Sequence, residues 1–204
     1  MFLRIGWTVM DRKRIVFTFG RFNPPTIGHL KLIEAVVKEA NKDDYAIIPT
    51  RSHDAKKNPL KIDIKLAWMH KIFPTYADKI YSTKDINVII KVMQSFQGDY
   101  TDVCMVAGSD RVNGFDTLLK KYNMDPKNPD KTPIEYAFRT IEVKSAGDRD
   151  PDNDNDVSGI SASKLRAHAE DKNVNGFMAG IPDTLTTEEK LDLMIDVRKG
   201  MGKK

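Results

Sequence analysis

Ten residues near the amino end, Gly20-Arg21-Phe22-Asn23-Pro24-Pro25-Thr26-Ile27-Gly28-His29, have the types and spacing of an anion site. Gly20 lets a ligand approach the backbone closely, because no Cβ stands in the way. Pro24 and Pro25 fix the path into a helix. Thr26 is an N-cap residue type, and the amides of the first turn beyond it face outward. His29, three residues on, shares a helix face with Thr26. Gly28 between them keeps that surface clear of side chains. A hydroxyl, an imidazole and the amides of a helix start converge on one point, with Arg21 and Phe22 in the same run. That is equipment for holding a phosphate.

A second run, Gly159-Ile160-Ser161-Ala162-Ser163-Lys164-Leu165-Arg166, repeats the scheme. Two hydroxyls and another helix start form an anion cradle, and Arg166 can clamp phosphate oxygens. Taken singly, these residues have ordinary roles. Ser161 is a helix cap, Lys164 faces solvent, Arg21 is a solvated charge and His29 is a helix histidine. The grouped spacing is what points to chemistry.

Such groups need a rigid frame. Arg14 to Phe19 is a β-branched and aromatic run ending at Gly20, and predicts a buried strand. Apolar residues recur at helical spacing from Thr26 to Ala40. Tyr45 to Thr50 and Asp102 to Gly108 predict further strands, and Glu135 to Val143 alternates like another. Helices are predicted over 61–73, 87–96, 111–122 and 160–172. A last one reaches Gly200, with a capping box at Thr186 and Glu189. Trp68 predicts core packing of its helix, or stacking on an aromatic ligand. Strands alternating with helices predict an α/β fold: a Rossmann-like parallel sheet with helices on both faces. Ligands then sit at the carboxyl ends of the strands, where Gly20 and Gly108 fall. Residues 1–170 form the main domain, residues 1–9 reading as a leader. Residues 171–204 form a C-terminal helical segment packed on the same domain.

Composition narrows the class. The chain has 204 residues, 40% hydrophobic and 30% charged, with a formal net charge of +4. No apolar run approaches the roughly 20 residues of a membrane span. The single cysteine, Cys104, excludes an intramolecular disulfide framework and reads as a core residue in a cytoplasmic protein. Basic residues are interleaved with acids, without the aromatic-basic pattern of a nucleic-acid surface.

The pair of motifs, "TIGH" and "ISASKLR", resembles the nucleotidylyltransferase superfamily, whose signatures read (H/T)-x-G-H and I-S-x-(S/T)-x-x-R. The likeness covers roughly residues 14 to 170. "GRFNPPTIGHL" looks most like nicotinamide mononucleotide adenylyltransferases, and Thr26 in the first motif position looks more like phosphopantetheine adenylyltransferases. The resemblance implies attack by a phosphate monoester on the α-phosphate of ATP, with pyrophosphate leaving together with Mg²⁺ as the ion of the nucleotide. It implies that His29 and Thr26 bind the triphosphate and that Ser161, Ser163 and Arg166 hold its outer phosphates. Arg21 and Lys57, the latter within "KKNPL", become further phosphate contacts. "GSDR" resembles a Gly-x-Asp stretch near the nucleotide, which brings in Gly108 and Asp110. No metal ligand of the protein's own is implied. Relatives include homo-oligomers. The base, adenine or cytosine, and the acceptor stay open at this point.

Other classes fit less well. A P-loop, Gly-x₄-Gly-Lys-Ser/Thr, is absent. The chain is short for a class I aminoacyl-tRNA synthetase, whose ATP signatures are related. The alternating acids from Asp148 to Asp156 lack the Gly and Glu that an EF-hand loop needs, with Asn155 and Ser161 in those places. That stretch reads as a solvated loop, and as a lid because it leads into Ser161. A non-catalytic nucleotide-binding regulator remains the alternative of another kind.

Overall fold

The computed structural model describes residues 12–125, 127–128, 130, 132–147 and 161–203. Residues 1–9 and the acidic stretch at 148–158, with its lid role, lie outside them.

Among the described residues, four strands form one parallel sheet: β1 (Arg14–Gly20), β2 (Asp44–Pro49), β3 (Asp102–Ala107) and β4 (Thr140–Ser145), in the order β2-β1-β3-β4. All three ladders are parallel. Every residue of β3 is buried, as expected of an inner strand covered on both faces. From β1 the chain crosses to one side to make β2, then to the other to make β3. The reversal of strand order therefore lies between β1 and β3, and opens a crevice at their carboxyl ends.

Alternation along the strands divides the core in two. Ile15 and Phe17 of β1, Ala46 and Ile48 of β2, and Val103 and Met105 of β3 share one cluster with α3 (Ile89–Phe96) and α4 (Val112–Tyr122). On the opposite face, Val16, Cys104 and Val106 pack under α1 (Ile27–Ala40), and Ile47 under α2 (Ile62–Ile72) and the C-terminal helices. Those helices are α5 (Ala162–Glu170), α6 (Val174–Ala179) and α7 (Thr187–Gly200). Phe177, Ile181, Leu193 and Val197 belong to the same buried cluster as Phe22 and Ile33. The carbonyl of Gly180 accepts the N–H of Ile27 in the first turn of α1, at 3.0 Å. The C-terminal segment thus helps to fix the start of α1. Among the described residues, no helix is long and apolar enough to cross a membrane.

Two expectations need adjustment. The strand predicted at 135–143 begins only at Thr140. Tyr136 and Phe138 are buried as their alternation suggested, but their backbone pairs with the end of α4. Met124 N–H donates to the Tyr136 carbonyl at 2.8 Å, and Phe138 N–H to Asn123 Oδ1 at 2.8 Å. Helix α6 was not foreseen, because Gly176 interrupts its pattern. Asn173 caps it by accepting the Gly176 N–H at 2.9 Å. Trp68 is core: it is 7% exposed and its Nε1–H donates to Asp196 on α7 at 3.0 Å. The capping box of Thr186 and Glu189 forms as expected. Cys104 is fully buried, and burial pushes its thiol up to about 11.

Candidate active site

A cavity of about 490 Å³ opens at the carboxyl ends of β1 and β3. From the end of β1 it is lined by Gly20, Arg21 and Phe22, and from the start of α1 by Thr26, Gly28 and His29. Gly108 and Asp110 reach it from the end of β3, and Ser161, Ser163 and Arg166 from the start of α5. Segments far apart in sequence therefore meet at one cavity, with the N-termini of two helices at its wall. Each helix start adds partial positive charge from its amide dipoles.

The first motif is organised by a local reciprocal cap. Thr26 is 1% exposed. Its backbone N–H donates to His29 Nδ1 at 3.1 Å, while the His29 N–H donates to Thr26 Oγ1 at 3.3 Å. Nδ1 also lies 3.0 Å from Thr26 Oγ1. A ring nitrogen that accepts an amide hydrogen cannot carry its own, so the neutral imidazole has its proton on Nε2. The cap thus sets both the tautomer and the plane of the ring. Phe22, fully buried, stacks at a tilt on that ring with centroids 4.7 Å apart. Its φ of 47° is unusual for a phenylalanine. Phe22 therefore belongs to the support of His29. Gly20 makes room for it: a Cβ at Gly20 would lie 3.1 Å from the edge of the Phe22 ring.

In the second motif, Ser161 caps α5 by accepting the Lys164 N–H at 3.1 Å. Arg166 is braced on both sides. Its Nη2 donates to Ser163 Oγ at 3.0 Å, and its Nη1 to the backbone carbonyl of Asn23 at 2.7 Å. The last contact ties the two motifs together. Burial first, and then the like charge of Arg21, lower the pKa of Arg166 from its ordinary value. Two cations held this close favour an anion between them.

Lys57 does not join the cavity. It is exposed, and its amide closes a turn by donating to Asp54 Oδ1 at 2.6 Å. Asp54 also accepts from Lys56 N–H at 2.9 Å and from Asn58 Nδ2 at 2.5 Å. These bonds, the Lys57 amide first, lower its carboxyl to about 2. The self-closed turn explains why "KKNPL" contributes backbone here and no ammonium to the cavity.

Two residues escaped the sequence reading. Asn23 is fully buried: its Nδ2 donates to the Leu60 carbonyl and its Oδ1 accepts the Leu60 N–H, both at 2.9 Å. The sequence signal was an amide side chain directly before the prolines. Asn23→Ala would leave a buried donor and a buried acceptor unpaired, at about 1–3 kcal/mol each. It is expected to lower the urea midpoint and to loosen Arg166, and an unchanged midpoint would refute that role. The other is Lys65, whose Nζ donates to the carbonyls of Arg21 and Thr50 at 2.9 and 2.5 Å. Its signal was a lysine on the apolar face of α2.

Residues 17–168 match the family model described as cytidylyltransferase-like. Two curated relatives carry the name probable nicotinate-nucleotide adenylyltransferase. The one from Fervidobacterium nodosum is 28% identical over 111 residues, 50% of this chain and 51% of its own length. The chain thus spans about half the length of that relative. The one from Sulfurimonas denitrificans is 26% identical over 143 residues, 61% of this chain and 76% of its own length. Among solved structures, the fold resembles Plasmodium falciparum nicotinic acid mononucleotide adenylyltransferase complexed with NaAD. That match has a TM-score of 0.53 at 14% identity, covering 93% of this chain and 98% of the other. It also resembles Thermotoga maritima TmcAL bound with alpha-thio ATP, with a TM-score of 0.54 at 11% identity, covering 90% and 56%.

Proposed function

The chain belongs to the cytidylyltransferase-like family, and on that premise we propose that it is an enzyme transferring AMP from ATP to a phosphomonoester acceptor, a pyridine mononucleotide of the nicotinamide or nicotinate type. One observation carries the reading: the His29–Thr26 pair and the Ser161, Ser163 and Arg166 group line the same cavity. The names of the two curated relatives support adenine as the base and a pyridine mononucleotide as the acceptor.

An oxygen of the acceptor phosphate attacks the α-phosphorus of ATP. The new P–O bond forms as the bond from the α-phosphorus to the α,β-bridging oxygen breaks, and pyrophosphate leaves with those electrons. The second pKa of a phosphate monoester is about 6, so the nucleophile is already ionised near neutral pH and needs no general base. The work of the protein is alignment and neutralisation of charge. His29 donates its Nε2 proton as a hydrogen bond to the phosphates, the helix starts and Arg21 offset their charge, and Arg166 holds the outer phosphates. Magnesium enters as part of the substrate, MgATP. Among the described lining residues, Asp110 supplies the one carboxylate, which suits an ion held mainly by phosphates and water. The proposal includes a cytoplasmic, reducing setting, in which the buried thiol of Cys104 stays free.

The test incubates the protein and Mg²⁺ with ATP or CTP against nicotinate mononucleotide, nicotinamide mononucleotide and phosphopantetheine. Pyrophosphate release and the coupled product are measured. A dinucleotide from ATP and a pyridine mononucleotide is expected. Absence of pyrophosphate with every pair would leave nucleotide binding without transfer, and would refute the reading.

A further inference from the structure

Helix α2 buries Ile62, Lys65, Trp68, Met69 and Ile72. A lysine in that set is costly, because an ammonium loses its hydration when buried. Proteins offset the cost with a carboxylate partner or by releasing the proton. Lys65 is fully buried, and among the described residues no carboxylate pairs with it. Its partners are two backbone carbonyls, those of Arg21 and Thr50. Arg51, the charged group that acts on it, has the same sign.

The position of those carbonyls gives the lysine a purpose. Arg21 follows the last residue of β1, and Thr50 the last residue of β2. The Thr50 N–H donates to the Gly20 carbonyl at 2.8 Å, so the two strand ends are already joined there. Arg21 lines the cavity. Lys65 does not line it; its ammonium holds the Arg21 carbonyl from behind, and so fixes the backbone that carries the Arg21 side chain. Arg21, Arg51, Lys65 and Arg166 form no ion pair among the described residues. A surplus of cations at the end of a sheet is stabilised when an anion arrives.

We propose that Lys65 is a positioning residue for the nucleoside triphosphate: its ammonium locks the ends of β1 and β2 behind Arg21 and supplies buried positive charge to the phosphate side of the cavity. This rests on the nucleotidyl-transfer reading. The charge is conditional on pH, because burial first and Arg51 second lower the Lys65 pKa to about 8 from 10.5. Below about 8 the free protein carries the charge, and above it the group is neutral. A polyanion binds the protonated form better, so affinity is full on the acid side and falls as pH rises through this value. The second phosphate pKa, about 6, lies below this window.

The test measures binding of Mg²⁺ and α,β-methylene ATP by calorimetry from about pH 7 to about pH 9.5, with no acceptor present. The wild-type protein is expected to lose affinity with an inflection near 8. Lys65→Met is expected to bind about 10- to 100-fold more weakly at neutral pH and to show no inflection. Lys65→Arg is expected to restore neutral-pH affinity and keep it across the alkaline range, because guanidinium stays charged. A wild-type affinity independent of pH would overturn the role of Lys65 even if neither variant folded. So would wild-type affinity in Lys65→Met. A wild-type protein that binds no triphosphate at any pH would instead overturn the nucleotidyl-transfer reading, and this inference with it.

Discussion

His29→Ala is expected to lower the rate of pyrophosphate release by about 10²–10³-fold, the usual effect of removing one donor from a charged transition state. The imidazole is held from both sides before substrate arrives. The Thr26 N–H fixes Nδ1 at 3.1 Å, and the Phe22 ring lies against the imidazole at 4.7 Å. Such a group needs no reorganisation as charge develops, so its loss should appear in kcat more than in KM. The substitution also removes half of a reciprocal cap. It should therefore lower stability by about 1 kcal/mol, a cost that leaves a domain folded. Rate constants and a denaturant midpoint measured on the same preparation separate the two effects. Turnover within a few-fold of wild type would remove His29 from the reaction.

The second large effect is expected at Arg166. Its guanidinium has five N–H donors, and two of them serve Asn23 and Ser163. The remainder can meet the outer phosphates while the first two keep the plane fixed. Arg166→Ala is expected to weaken triphosphate binding by about 10- to 100-fold, the worth of a hydrogen bond to a charged group. Arg166→Lys should recover little of this. An ammonium has three donors at one point and cannot hold Asn23, Ser163 and a phosphate together. Equilibrium titration with the ATP analogue decides it. Full recovery with lysine would reduce Arg166 to a source of positive charge, without the braced geometry proposed for it.

These two residues are legible in the sequence to different degrees. The reciprocal cap of Thr26 and His29 is local: a spacing of three residues at a helix start places both groups whatever the rest of the chain does. Ser161 as the cap of α5 is equally local, and the structure has it in that role. The inner strands were legible because parallel strands buried on both faces read as unbroken apolar runs. The C-terminal capping box was legible for the same reason as the first.

The amino-acid sequence by itself thus determined most of the elements, their order and the chemistry at the helix starts of the two motifs, since all of these depend on neighbours a few residues away. Only the tertiary structure decided that the two helix starts face one cavity. It also decided that the Asn23 carbonyl braces an arginine 143 positions later, and that the ammonium of Lys65 lies behind Arg21. It turned Lys57 outward and paired the backbone of Tyr136 and Phe138 with the end of α4 in place of a neighbouring strand. The reason is physical: a turn closed by its own amides, or a buried lysine satisfied by two distant carbonyls, depends on which segments pack together. Spacing along the chain carries no record of that.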